Sequence, residues 1–305
     1  MDRRSLSKNA VVACTSPSFL PYTCAMIDSA LTASATKNID FCIILVDGDD
    51  NDLTTARQFF SKRTCVTILA HKQETGADQK LGRFTSAALT RLSLDSILNP
   101  EYSRVLYLDG DIHVLHGLEE LFSLDLQGHC LGACSAISIQ GPHRENPLNA
   151  ALGLPEGTRY FNAGVILFDW KKTLAEGVLS NARKALQTKA SFHIHDQHAL
   201  NIAVKGDFYQ LDYRWNVPPF LLGYVRKPNI VHFVGKQKPW HKKCPYRLQY
   251  FRKKLIGSLA GSPWSQSIER RKLPDMIKYP FSILKHFSKK RKAANVARND
   301  YQLAP

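Results

Sequence analysis

Three observations predict an α/β fold with a mostly parallel sheet. Apolar, strand-like runs alternate with helix-patterned stretches from Asn9 onward, the order that βαβ units impose. The runs Phe41–Val46 and Val105–Leu108 are apolar throughout, as buried strands are. The second of them ends in Asp109-Gly110-Asp111, which puts two carboxylates at the carboxyl end of a strand, where open α/β sheets collect ligands.

In chain order, Asn9 to Cys14 is the first strand, closed by the turn Thr15-Ser16-Pro17-Ser18. Tyr22 to Leu31 follows as a helix, with Tyr22, Ala25, Met26, Ser29 and Ala30 near one face. Phe41 to Val46 is the second strand. The polar cluster Asp47-Gly48-Asp49-Asp50-Asn51-Asp52 then closes it and caps a helix from Leu53 to Lys62. Cys65 to Leu69 is the third strand, Thr85 to Leu98 a helix stopped before Pro100, and Val105 to Leu108 the fourth strand. Leu118 to Phe122 opens a short helix and Leu131 to Ala136 is a further strand. Gly141 to Gly157, rich in Gly, Pro and Asn, reads as a surface excursion of the kind that covers active sites. A strong strand ending at Asp169 begins with Asn162-Ala163-Gly164, and Thr173 to Ala190 is helical. His195-Asp196-Gln197 opens another helix, with Asp196 near its positive end. Trp215-Asn216-Val217-Pro218-Pro219 is a rigid turn, and Ile230 to Gly235 a strand that leads into Lys236–His241.

The acidic turn carries the chemistry. Asp is a poor strand former, and an unpaired buried carboxylate costs several kcal/mol, so something must compensate Asp109 and Asp111. Carboxylate oxygens suit hard divalent ions such as Mg²⁺ or Mn²⁺. Taken alone, Asp-Gly-Asp is more readily an ordinary turn than a metal site. His232 alone reads as a satisfied core histidine, Asp196 as a helix cap, Asn162 as a turn residue and Arg91 as part of a solvated helix face. No Walker-type phosphate loop and no GxGxxG fingerprint is present, so any nucleotide must be held by metal and scattered basic or polar groups.

Together, Asp109-Gly110-Asp111, Asn162-Ala163-Gly164, Asp196-Gln197 and His232 through Trp240 resemble the retaining glycosyltransferases of the lipopolysaccharide galactosyltransferase and glycogenin type, glycosyltransferase family 8. The resemblance runs from about Asn9 to Trp240 and is nearest in layout to the bacterial lipooligosaccharide galactosyl- and glucosyltransferases. It implies a Rossmann-like nucleotide-sugar-binding domain of the GT-A type, a UDP-hexose donor and a saccharide or lipopolysaccharide-type acceptor. It further implies Mn²⁺, with Mg²⁺ as the substitute, held by Asp109, Asp111 and His232. Gly235 and Lys238 then meet the donor diphosphate. Asp196 and Gln197 face the donor sugar, with Asn162, Ala163 and Arg91 beside them and Gly110 at the diphosphate. The roles closest to the chemistry fall to Gln197, Asp196 and Lys238. Trp240 is either structural or an acceptor wall, and Lys80 and Arg83 lie where the family contacts acceptor or phosphate. The family usually places an Asp after the first strand, near uracil and ribose; this chain has Thr15 and Ser16 there.

The 305 residues have ordinary globular composition, 44 % hydrophobic and 10 % aromatic. No apolar stretch reaches the roughly 18–20 residues of a membrane span. Met1-Asp2-Arg3-Arg4 lacks the apolar run and cleavage site of a signal peptide. Seven cysteines are scattered without a zinc-ribbon pattern, which predicts free, mostly buried thiols in a reducing compartment.

The charge divides the chain. Residues 251–305 carry 13 Lys and Arg against three acids, +10 of the net +15. We therefore read 1–250 as the catalytic domain and 251–305 as a basic tail. Its Met276–Phe287 segment and the run Lys289-Lys290-Arg291-Lys292 pair apolar anchors with positive charge, as interfacial membrane attachments do. That predicts a cytoplasmic protein, peripheral on the inner membrane face. No reader motif or aromatic platform supports nucleic acid as the anionic partner. Two rival functions are a metal-dependent phosphohydrolase, which lacks a second carboxylate cluster, and a catalytically weak nucleotide-sugar or membrane-surface binding protein.

Overall fold

A computed structural model describes residues 9–35, 38–72, 86–138, 141–142, 149–188 and 195–268. Its elements in chain order are β1 (Asn9–Thr15), α1 (Leu20–Ala33), β2 (Ile39–Val46), α2 (Asp50–Phe59), β3 (Val66–His71), α3 (Ser86–Thr90), α4 (Leu94–Ile97), β4 (Arg104–Leu108) and β5 (Ile112–Val114). Then come α5 (Glu119–Phe122), β6 (Leu131–Ser135), the short pair β7 (Ile137–Ser138) and β8 (Gly141–Pro142), α6 (Asn149–Leu152) and β9 (Phe161–Asp169). The rest are α7 (Trp170–Ala175), α8 (Val178–Thr188), α9 (Asp196–Val204), β10 (Tyr209–Gln210), β11 (Ile230–His232) and α10 (Gln249–Ser258).

The main sheet runs β10-β6-β9-β4-β1-β2-β3. All its neighbours pair in parallel except β9, which is antiparallel to both β4 and β6. The predicted mostly parallel sheet is therefore present. Its central strands β1, β4 and β9 are largely apolar because both faces are covered. Val11 and Ala13 pack into one core with α1 and α2, while Ala10, Val12 and Cys14 pack into another with α8 and α9. All seven cysteines are free, and six of them are buried.

Two predicted helices are each divided. The one expected from Thr85 to Leu98 tightens into a 3-10 turn at Arg91–Ser93, between α3 and α4. The cause is Arg91, whose side chain is drawn inward to Ala163 and Asp109 instead of lying on a solvated face. The one expected from Thr173 to Ala190 becomes α7 and α8, with Gly177 between them at φ +61°. The Asp cluster after β2 acts as expected: Asp49 caps α2 in a reciprocal capping box with Asp52.

The expected division at residue 250 falls inside α10. Phe251, Leu255 and Leu259 are buried against Phe233 and Trp240, and Ile268 joins the same cluster, so the packed unit extends to 268. Lys80, Arg83 and the segment Met276–Lys292 lie outside the described residues. No helix among the described residues is long and apolar enough to cross a membrane.

Candidate active site

The site is assembled where β4, β9 and the small β5–β11 ladder meet. β4 stops at Leu108, and the chain turns through Asp109-Gly110-Asp111 before resuming as β5. The Asp109 N–H donates to the Gly164 carbonyl at 2.9 Å, which fixes the turn on β9. β11 pairs antiparallel with β5, with His232 opposite Ile112, and the Phe233 N–H donates to the Asp111 carbonyl at 2.8 Å. This ladder brings His232 to the acidic turn from far along the sequence. Two glycines make the fit sterically feasible. A Cβ on Gly164 would lie 2.1 Å from His232 Cε1 and 3.0 Å from Asp109 Oδ2. A Cβ on Gly110 would lie 2.3 Å from Thr23 Oγ1.

Each carboxylate divides its oxygens between a cation and the histidine. Asp109 Oδ1 accepts from Arg91 at 2.8 Å and from the Tyr107 hydroxyl at 3.1 Å, while its Oδ2 lies 3.7 Å from His232 Nε2. Asp111 Oδ2 accepts from Lys238 Nζ at 2.5 Å, while its Oδ1 lies 3.2 Å from His232 Nε2. Atoms of Asp109, Asp111 and His232 lie within 4.8 Å of one another. Two hard oxygens and one imidazole nitrogen, converging with a proton or cation needed between them, fit a divalent metal such as Mn²⁺.

The electrostatics agree with that fit. Burial raises the Asp109 carboxyl, Arg91 offsets part of the rise, and Asp111 adds to it. Burial also works against the Asp111 charge, but His232 and Lys238 outweigh it and hold this carboxyl well below the usual range. The two carboxyls are thus pushed in opposite directions, Asp109 by burial and Asp111 by its two basic neighbours. A cation between them would hold both ionised.

The sugar-side residues expected from the sequence gather on the other flank. Arg91 is 8 % exposed and bridges two acids, Asp109 at 2.8 Å and Asp196 at 2.7 Å. It also donates to the Ala163 carbonyl at 2.8 Å and lies over the Tyr107 ring at 4.5 Å. Burial disfavours its charge, but Asp109 and Asp196 overcompensate and raise its pKa. Asp196 is the first residue of α9 rather than its cap; His195 holds the cap position, without a side-chain bond. Gln197 Oε1 accepts from the Ala163 N–H at 3.1 Å and from Asn162 Nδ2 at 3.3 Å, and its Nε2 donates to the Tyr160 hydroxyl at 3.2 Å. Asn201, one helical turn on, clamps Phe161 by accepting from its N–H and donating to its carbonyl.

Other expected positions are less engaged. Thr15 is 1 % exposed, and its hydroxyl accepts from Thr23 at 2.9 Å and donates to the Ser16 carbonyl, so Ser16 is the more open of the two hydroxyls. Gly235 and Lys238 follow β11 in the order expected, and only Lys238 reaches the acidic turn. Trp240 is structural: it is 5 % exposed, stacks on Tyr22 at 4.1 Å and meets Phe19 and Phe233 edge-on. Tyr107, Tyr160, Asn201 and Asn216 were not anticipated. Each is a single polar group within a strand, helix or turn, and the only legible signal was the Asn201 spacing one turn after Gln197.

Comparisons with known proteins bear on the family and the fold. The sequence pattern of glycosyl transferase family 8 matches residues 10–244. General stress protein A of Bacillus subtilis (strain 168) is 28 % identical over 189 residues, a match covering 55 % of this chain and 64 % of that protein. Lipopolysaccharide 1,3-galactosyltransferase of Salmonella typhimurium (strain LT2) is 27 % identical over 259 residues, covering 78 % of this chain and 74 % of that one. The crystal structure of galactosyltransferase LgtC with donor and acceptor sugar analogues superposes with a TM-score of 0.72 at 23 % identity, covering 85 % of this chain and 99 % of that chain. That likeness bears on the fold, while the sequence match spans the acidic turn, the Asn162 strand, α9 and β11 alike; the chain belongs to glycosyl transferase family 8.

Proposed function

We propose that this protein is a retaining hexosyltransferase, moving glucose or galactose from a UDP-sugar to a saccharide acceptor in lipopolysaccharide or other cell-surface glycan synthesis. The observation that carries the reading is the convergence of Asp109 Oδ2, Asp111 Oδ1 and His232 Nε2 beside Lys238. Asp109, Asp111 and His232 would hold Mn²⁺, or Mg²⁺ in its place. The ion would supply positive charge to the diphosphate as the glycosidic bond breaks. Lys238 adds a point charge on the same leaving group, and Gly235 and Gly110 border it. Arg91, Asn162, Ala163, Asp196 and Gln197 orient the hexose, and Ser16 with Thr15 borders the base.

In the transfer, the bond from the anomeric carbon to the diphosphate oxygen breaks. The acceptor hydroxyl bonds to that carbon from the same face and passes its proton to the departing phosphate oxygen. Gln197 acts by position, because both acceptor sites of its Oε1 are taken by Ala163 and Asn162. Its Nε2 donates to the Tyr160 hydroxyl. The product keeps the α configuration of the donor. A saccharide acceptor is supported by the likeness to a lipopolysaccharide 1,3-galactosyltransferase. The sequence of residues 276–292 supports attachment to the anionic inner face of the membrane, which flotation with anionic liposomes, with and without residues 269–305, would test.

Labelled UDP-glucose and UDP-galactose with Mn²⁺, with and without lipopolysaccharide acceptors, test the reading. The expected result is acceptor-dependent release of UDP and an α-linked product, both lost in Asp109→Asn and His232→Ala. UDP release that ignores the acceptor would point to hydrolysis instead, and a β-linked product would rule out retention.

A further inference from the structure

The turn that holds Asn216 lies beside the metal-facing histidine. Val217 bridges Val231 in parallel, the Val217 N–H donates to the Ile230 carbonyl at 2.9 Å, and the His232 N–H donates to the Val217 carbonyl at 3.0 Å. Asn216 is 5 % exposed, and its Oδ1 lies 3.0 Å from His232 Nδ1. Its Nδ2 donates to Asn162 Oδ1 at 2.9 Å.

The direction of every bond in this chain is dictated by the backbone. Main-chain N–H groups can only donate. The Ala163 N–H points at Gln197 Oε1, so that atom is an oxygen, and Asn162 presents its Nδ2 to the same oxygen. The Gly164 N–H points at Asn162 Oδ1, so the atom of Asn216 facing that oxygen must be its amide nitrogen. The Asn216 oxygen is then the atom against His232 Nδ1, and Nδ1 must carry the proton. Nε2 is then the ring nitrogen left to face Asp109 and Asp111, and the one whose lone pair a bound cation would take. Two backbone amides on β9 thereby select the histidine tautomer through three side-chain amides, with no charged group in the relay.

We propose that Asn216 is a positioning residue: relayed from the Ala163 and Gly164 amides through Gln197 and Asn162, it fixes His232 with its proton on Nδ1, so that Nε2 is the atom offered to the divalent cation. The proposal rests on the metal reading of Asp109, Asp111 and His232. Partners of this kind raise metal affinity by about 10- to 100-fold in metal–histidine sites. It gives Asn216 a chemical role where the sequence suggested only a rigid turn.

The test pairs Asn216→Ala, which removes the acceptor, with Asn216→Asp, which keeps the acceptor toward His232 Nδ1 and gives up only the donor to Asn162 Oδ1. Mn²⁺ is titrated by electron paramagnetic resonance in saturating UDP, and thermal melting checks that each chain is folded. Asn216→Ala is expected to bind Mn²⁺ about 10- to 100-fold more weakly, with Asn216→Asp within about threefold of the parent. Long-range ¹H–¹⁵N spectra of the histidine rings, assigned with His232→Gln, are expected to show Nδ1 protonated in the parent both without metal and with Mg²⁺–UDP. A bare Nδ1 in the parent, parental Mn²⁺ affinity in Asn216→Ala, or equal losses in Ala and Asp would each overturn the proposal. If the parent chain takes no Mn²⁺ at all, the metal reading itself fails, and the protonation of Nδ1 still decides the positioning role.

Discussion

Two neighbouring strand ends on the ligand-facing side of the sheet, those of β4 and β1, are built differently. Beyond β4, the acidic turn is held by charged partners from distant parts of the chain: Arg91 on the 3-10 turn, His232 on β11 and Lys238 after it. Beyond β1, Thr15 and Ser16 bond to hydroxyls and carbonyls of their own neighbourhood, Thr23 and Ser18. The first end concentrates charge in a buried, low-dielectric setting, where preorganised groups act strongly on a developing diphosphate charge. The second offers shape and neutral hydrogen bonds. Binding energy and catalysis should therefore depend steeply on the first end and weakly on the second.

The largest effect is expected at Arg91. Arg91→Met leaves Asp196 buried without its cation and removes one partner of Asp109. Breaking a buried pair from one side costs about 3–5 kcal/mol, so the denaturant midpoint should fall sharply and transfer should be lost. A variant melting like the parent would mean that the charged end is not organised around this arginine.

Gly164→Ala comes next. Its Cβ must displace the His232 ring, since 2.1 Å separates their positions. Overpacking of this kind costs about 1–3 kcal/mol, and the accompanying shift of Nε2 should weaken Mn²⁺ binding. Calorimetric titration with Mn²⁺ and UDP checks it, and unchanged affinity would show that the histidine is not a ligand.

A third expectation concerns pH. The His195 and His198 rings lie 3.6 Å apart, tilted by 34°, at the start of α9, and burial lowers both to about 4. The unfolded chain binds these protons nearer pH 6.5. Between the two values the unfolded state holds more protons, so stability is full above about pH 6.5 and falls as pH drops toward about 4. Melting curves should show that loss, and His195→Gln/His198→Gln should flatten it; an equal slope in the variant would assign the loss to other groups.

The smallest effect is expected at the β1 end. Thr15→Val removes the acceptor for Thr23 and should cost about 1 kcal/mol of stability, while the donor KM changes less than about twofold. A tenfold rise in KM would sharpen the comparison by showing that this end contributes strongly to donor affinity.

Most of the frame could be read from the residues. The apolar runs marked the buried strands, and Asp109 and Asp111 stood out because acids seldom end such runs. The division of the Thr85–Leu98 helix was not legible, because its cause is a tertiary pull on Arg91 toward Ala163 and Asp109. Nor was Asn216, whose relevance depends on a bridge between Val217 and Val231 that no local pattern announces. Trp240 was open between two roles until its stack on Tyr22 decided for packing. Charge patterns identified the residues that need a partner; only the fold shows which partners they have.

The most direct test of the central claim is Mn²⁺ binding in the presence of UDP, followed by electron paramagnetic resonance in the parent chain, Asp111→Asn and Ser16→Ala. The account predicts saturable binding in the parent, affinity at least about tenfold weaker in Asp111→Asn, and parental affinity in Ser16→Ala. Absence of saturable Mn²⁺ binding in the folded parent, or undiminished binding in Asp111→Asn, would contradict it.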